Sequence, residues 1–212
     1  MFARPLTEAE AQLVERIVEF VSSKHKRCEG HDYSHVLLVA HLAIEIAQRV
    51  PEPVDPFIVI AGALFHDIGR VGATTGSLHG LAGAGVAYEF LRAVTDDEET
   101  RGKVARVVAR HTPTSRIPPE TIEEKIVFDA DTMERFGWVG VLRGIMGRTG
   151  SIEDILQTVI RKRAADYEQL YLPESKQMAL DRYRATQEIL AGVEQAMCDR
   201  DAVLTLDLPL PR

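Results

Sequence analysis

The segment Phe57 to Phe65 runs for nine residues without a charge and is followed at once by His66 and Asp67. A stretch so uniformly apolar has no polar face to offer water, so it must be buried on most sides and form the centre of a core. It is far short of the roughly 20 residues that cross a bilayer, so the rest of the chain has to cover it. The carboxylate of Asp67 then ends a buried run, where an ionised group is costly without a strong partner such as a metal.

Around this segment the apolar residues recur every three and four positions, which is helical spacing. Thr7 and Glu10 form a capping box ahead of Leu13, Val14, Ile17, Val18 and Val21. A second helix spans Tyr33 to Val50, and Pro51, Pro53 and Pro56 punctuate the turn before a third, Phe57 to Ile68. Gly69 to Ser77 reads as a loop, Leu78 to Ala93 as a fourth helix, and Asp96 to about His111 as a fifth. A sixth helix covers Glu120 to Phe136 with Pro119 in its first turn, and a short apolar one covers Trp138 to Met146. Ser151 and Asp154 cap a long amphipathic helix carrying Ile152 to Tyr171; a last one carries Ala179 to Met197, with a loose tail from Asp199.

No segment alternates with period two, so the expected fold class is all-α. Residues 1–150 are expected to form a helical core with its N-terminal helix, and residues 151–212 a C-terminal helical extension packed on it, together one domain. The apolar faces of the two C-terminal helices pack on that core or on a second subunit in a homodimer. Lys and Arg number 25 against 32 Asp and Glu, a net charge of -7 without a long basic run, which argues against nucleic acid as a partner. Cys28 and Cys198 show no ligand or disulfide spacing, and Met1 to Pro5 lacks the pattern of a secretory signal; a cytoplasmic protein with no membrane partner is expected.

Chemistry gathers on His35, His66, Asp67, His79, His111 and Asp131, which five of the expected helices present near their ends or on their faces. A divalent metal needs several N and O donors converging from different directions, and helices ending at one pocket supply that. Asp67 is also placed to bridge two ions, the arrangement that suits phosphate ester hydrolysis. Among the other histidines, His25 lies between Lys24 and Lys26 and reads as solvated, while His41 falls on a different helix face from His35. Arg161, Lys162 and Arg163 read as a solvated helix face, the Gly83-Ala84-Gly85 cluster as a close helix contact, and Trp138, Tyr167 and Tyr171 as core.

Gly30-His31-Asp32-Tyr33-Ser34-His35, Ala63-Leu64-Phe65-His66-Asp67-Ile68-Gly69 and Lys125-Ile126-Val127-Phe128-Asp129-Ala130-Asp131, in that order, resemble the HD-domain superfamily of metal-dependent phosphohydrolases. The resemblance covers roughly Gly30 to Ile145 and implies an HD-domain helical bundle, to which the two C-terminal amphipathic helices are additions. It implies His35, His66, Asp67 and Asp131 as metal ligands, with Asp129 as the alternate to Asp131. Leu78-His79-Gly80 and Arg110-His111-Thr112 resemble the additional histidines of the superfamily's two-metal branch, which makes His79 and His111 ligands of a second ion.

The cofactor implied is one or two divalent ions, Mn, Fe, Ni, Co or Zn, with Mg also compatible. The substrate implied is a small phosphorylated metabolite, a nucleotide, cleaved at an ester or anhydride bond by metal-activated water. Arg70 stands where single-metal nucleotidases of the superfamily carry an acid; it resembles the two-metal branch and is placed, with Asp67, to act on or bind phosphate, ahead of Arg110 and Lys125. Two alternatives stay open: an HD-fold di-iron oxygenase, and a non-catalytic metal-binding regulatory module.

Overall fold

A computed structural model of the chain describes residues 2–25, 32–71, 78–146 and 148–204. Its helices are α1 (Glu8–Lys24), α2 (Tyr33–Arg49), α3 (Pro56–Phe65), α4 (His79–Arg92), α5 (Glu98–Arg110), α6 (Ile122–Met133), α7 (Gly137–Ile145), α8 (Ile152–Ile155), α9 (Arg161–Asp166) and α10 (Pro173–Leu204). The β pairing among the described residues is an isolated bridge between Phe2 and Val54. The protein is all-α.

Helix α3 begins where Asp55 accepts hydrogen bonds from Phe57 N and Ile58 N, with Pro56 at the first turn. Its residues are buried except for the half-buried Ile60, and α1, α2, α5 and α6 pack around it. The α1 capping box is complete, and Arg4 fastens Glu10 through bonds of 2.7 and 2.6 Å while reaching Asp55 at 3.2 Å. The N-terminal segment is thereby tied to the start of α3.

α3 stops at Phe65, three residues before the boundary expected from hydropathy. His66 continues the turn, Asp67 adopts the sparsely populated bridge conformation (φ -100°, ψ 9°), and Ile68–Arg70 form a 3-10 turn. The lack of a side chain at Gly69 lets α4 pass close to this turn: a Cβ there would lie 2.1 Å from His79 O and 2.5 Å from Gly83 N. The Gly83 contact expected from the sequence is thus between α4 and the turn carrying the His-Asp pair.

Other boundaries also moved. α6 starts at Ile122 behind a Thr121–Glu124 capping box, leaving Pro119 outside it. The single long helix expected after Ser151 is broken into α8, a π segment at Leu156–Ile160, α9 and a 3-10 turn at Tyr167–Gln169. Thr158 donates its hydroxyl to Asp154 O at 2.7 Å, a side-chain bond that competes with the helical ladder where the wider turn begins. α10 runs on past Asp199 to Leu204; the tail beyond it, the loop residues 72–77 and Cys28 lie outside the described residues.

α10 packs on α2, α6, α7 and α9 and so reaches both the main core and a small second cluster of Val141, Leu156, Ile160 and Ile189. No helix of the described residues is long and apolar enough to cross a membrane.

Candidate metal centre

The turn after α3 delivers His66 and Asp67 to a point where four other elements converge. His35 comes from the first turn of α2, whose cap Asp32 accepts its backbone N–H at 3.1 Å. His79 opens α4 behind Leu78, a non-glycine residue held in the left-handed region at φ 62°. His111 ends α5, and Asp131 projects from α6. All six side chains are buried.

They form two groups. His35, His66 and Asp131 make one, and Asp67, His79 and His111 the other, with the donor atoms in each group within 4.8 Å of one another. His35 Nε2 lies 3.3 Å from His66 Nε2 and 3.4 Å from Asp131 Oδ1, and His79 Nε2 lies 3.1 Å from His111 Nε2. Asp67 joins the groups: its Oδ2 is 3.7 Å from His35 Nε2 and 3.6 Å from His66 Nε2, and its Oδ1 is 3.3 Å from His79 Nε2 and 3.7 Å from His111 Nε2.

The donor chemistry fits divalent ions. His66 Nδ1 donates to Ala63 O and His111 Nδ1 to Val108 O, both at 2.7 Å, which fixes the tautomers and leaves each Nε2 as an unprotonated donor facing the cluster. Burial pushes His66 down to about 3, so its ring is neutral at physiological pH, the form a metal requires. Burial opposes the Asp131 charge, but Arg135 at 2.7 Å and His35 overcome it and hold the carboxyl well below its usual range. His35 differs, since Arg143 Nη1 donates to its Nδ1 at 2.8 Å; ligation by Nε2 calls for the ring proton to pass to Nδ1 and for Arg143 to move aside.

Asp129 stands apart. Its two oxygens accept Tyr171 N and Leu172 N, each at 2.9 Å, so it ties α6 to the start of α10. Burial nonetheless pushes its carboxyl up to about 6, with those two bonds opposing the shift. Arg70 donates Nε to Asp67 Oδ1 at 2.7 Å. Arg110 is engaged by Glu120 at 3.0 Å and Pro118 O at 2.7 Å. Lys125 is half-buried on α6.

Beside the cluster opens a cleft of about 450 Å³ whose wall includes Asp131 together with Arg70, Arg135, Arg143, Arg148, Lys162 and Arg163. Six cations on one concavity of a chain with net charge -7 make a local positive field. Glu134 at 3.2 Å fixes Arg143, and buried Asp166 contacts Arg135 at 3.4 Å and Arg163 at 3.8 Å. Burial, and then the neighbouring Arg135, lower Arg163 to about 10, so it remains cationic at neutral pH while poorly compensated.

Lys162 and Arg163 therefore face the cleft, whereas Arg161 alone takes the outer position, paired with Glu194 at 2.8 Å. Reading all three as one solvated face overlooked that consecutive helical residues point 100° apart. His25 is buried at 2% exposure, not solvated, and Trp138 is 64% exposed, not core. His41 is exposed, and Tyr167 stacks on Tyr183 at 4.1 Å.

Residues 32–135 match the family model of the HD domain, so the chain carries an HD domain there. Its sequence is 34% identical over 128 residues to tRNA (cytidine(56)-2'-O)-methyltransferase of Picrophilus torridus, covering 54% of this chain and 34% of that protein. It is 33% identical over 123 residues to YpgQ, an uncharacterized protein of Bacillus subtilis, covering 55% and 57% respectively. The chain thus spans only a third to just over half of the length of these curated relatives. The crystal structure of Bacillus subtilis YpgQ in complex with ADP aligns over 89% of this chain and 96% of that one, with a TM-score of 0.69 and 23% identity. A predicted HD superfamily hydrolase from an uncultured Thermotogales bacterium aligns over 89% and 91%, with a TM-score of 0.58 and 26% identity.

Proposed function

We propose that the chain is a metal-dependent phosphohydrolase acting on a small phosphorylated metabolite, a nucleotide, at a two-ion site. His35, His66 and Asp131 would hold one ion and His79 and His111 the other, with Asp67 shared between them. The observation that carries this reading is the single buried carboxylate of Asp67 placed between two histidine pairs at the edge of a cationic cleft. Divalent ions in such a pair make water a nucleophile at neutral pH and neutralise charge on phosphoryl oxygens.

The protein's own groups supply the rest. Arg135 orients Asp131, and Arg70 orients Asp67 and stands at the cleft wall, where its remaining guanidinium N–H groups can take a phosphate oxygen. Arg143, Arg148, Lys162 and Arg163 offer further donors for an anionic chain. The nucleotide assignment is supported by these cations and by the ADP bound to the structurally similar YpgQ.

The test is phosphate or pyrophosphate release from a panel of nucleotides and sugar phosphates by metal-loaded protein under anaerobic conditions. Turnover is expected with at least one nucleotide, and His66→Ala and Asp67→Ala should lose both bound metal and activity. Hydrolysis by a metal-free variant, or substrate-dependent oxygen uptake in place of phosphate release, would overturn the assignment.

A further inference from the structure

Helix α7 is amphipathic in the wrong sense for a monomer. The residues it buries are Gly137, Gly140, Val141 and Gly144, while Trp138, Val139, Leu142 and the following Met146 are 64, 72, 59 and 59% exposed. Trp138, Leu142 and Met146 are spaced by four, so they form one stripe along the helix. Trp138, at one end of the stripe, lines a groove of about 400 Å³ together with Ile152 on one side and α10 on the other. Ile152 is itself 54% exposed.

The groove floor adds a second observation. Gly192 lies on it, inside the long helix α10, and a Cβ there would meet nothing within 4 Å. A helix-interior glycine costs about 1 kcal/mol relative to alanine. Among the described residues, no neighbour requires it. The glycine leaves the α10 backbone bare at the groove, where a second surface can approach it closely.

We propose that a second copy of this chain covers this face, making the protein an isologous homodimer through α7, Ile152 and the Gly192 region of α10. Area supports that occupant. Five large apolar side chains at these exposures present on the order of 500 Å², and a standard interface takes about 800 Å² per partner, about 65% of it apolar in homodimers. Charge supports it too. Two ion pairs beside the face are already made within one chain, Arg200 with Glu153 at 2.7 Å and Arg161 with Glu194 at 2.8 Å. Pairs satisfied in this way add little net charge where two copies meet, whereas an anionic lipid surface would be opposed by a chain of net charge -7.

The interface has a structural consequence. The inner side of α7 carries Arg143 and Gly144 in the cationic cleft, yet the apolar cluster beneath α7 is small. Pairing buries the outer side of the same helix and so braces one wall of the cleft. This inference does not depend on which reaction the cleft supports.

Trp138 is the only tryptophan in the chain, so its fluorescence reports on this face alone. Sedimentation equilibrium and emission spectra of the full chain, read together over a dilution series, form the test. The expected result is a mass of twice 23.6 kDa at high concentration, with emission shifting to the red as dilution yields monomer. Gly192→Glu, which fits the free monomer, and Leu142→Asp should each be monomeric and red-shifted with an unchanged helical circular dichroism spectrum. A wild-type mass of 23.6 kDa at tens of micromolar would overturn the proposal, whether or not vesicles of neutral or anionic lipid then shift the tryptophan to the blue. So would a dimer that survives both substitutions.

Discussion

Asp67 Oδ1 lies 3.3 Å from His79 Nε2, and the second oxygen of the same carboxylate is turned toward the His35–His66 pair. One side chain therefore belongs to both histidine groups, and the two halves of the site are not independent. His79→Ala removes a donor from one group only, so, with a two-ion site, the purified variant should retain about one ion per chain against two for the wild type. Asp67→Asn keeps the shape but gives one carbonyl oxygen in place of two anionic ones. It should lower affinity for both ions and reduce turnover by roughly 100-fold or more, given that even supporting residues around a metal typically contribute 10- to 100-fold. Elemental analysis after gel filtration measures the ion count for each variant.

The pair of Asp131 and Arg135 gives a prediction about metal removal. Both groups are largely buried, and Nη2 of Arg135 meets Asp131 Oδ2 at 2.7 Å while Nη1 faces Asp166 at 3.4 Å. Removing one partner of a buried ion pair leaves an uncompensated charge and typically costs about 3–5 kcal/mol. In Arg135→Ala, a cation bound at Asp131 would offset part of that cost. The variant should consequently lose more stability than the wild type when a chelator is added. Thermal unfolding of both proteins with and without chelator compares the two losses, and equal losses would detach Asp131 from the ion.

How far these relationships were legible in the sequence depends on what set them. The all-helical class followed from spacing of apolar residues, and the burial of α3 followed from a run with no polar face. The end of α3 did not. Hydropathy continues through Ile68, whereas the chain turns at His66 and α4 packs against Gly69, a contact between residues distant enough in sequence to leave no local mark. The cleft was missed for a related reason. Arg135, Arg143, Arg148, Lys162 and Arg163 are scattered over two helices and two connecting segments, and each alone looks like a surface cation. The exception was available in principle: Arg163 recurs with Val159 and Asp166 at helical spacing, so an arginine in line with buried positions was a sign that the charge faces inward.

The N-terminal tie has a pH dependence with a definite sign. Hydrogen bonding from Arg4 lowers Glu10 from its ordinary 4.5 to about 2. The unfolded chain therefore binds this proton more readily than the folded one, and the stability it contributes is present above pH 4.5 and lost as pH falls through 2. Arg4 is partly exposed, with 39% of its side chain accessible, so the contribution is screened and should be about 1 kcal/mol or less. Glu10→Gln should be slightly less stable than the wild type at pH 7, and the difference should close between pH 4.5 and 2. Urea denaturation across that range follows it, and a gap that stayed constant would mean the capping geometry, and not the charge, sets the effect.

The cationic cleft separates binding from turnover. Lys162 lies on the wall contributed by the C-terminal helices and is not one of the six clustered donors, so its charge can act on a bound anion without removing a metal ligand. A charge-assisted contact to phosphate is worth roughly 1.5–3 kcal/mol, which corresponds to about 10- to 100-fold in KM if it is made equally in the ground and transition states. Lys162→Gln should therefore raise KM by at least 10-fold at the low end of that range, while kcat and metal content stay near wild type. Raising the salt concentration should weaken binding by the wild type more than by the variant, because the variant has one fewer charge to screen. Initial-rate kinetics for the best nucleotide at two ionic strengths decide the matter. A drop in kcat with unchanged KM would place Lys162 in the chemical step instead of substrate capture.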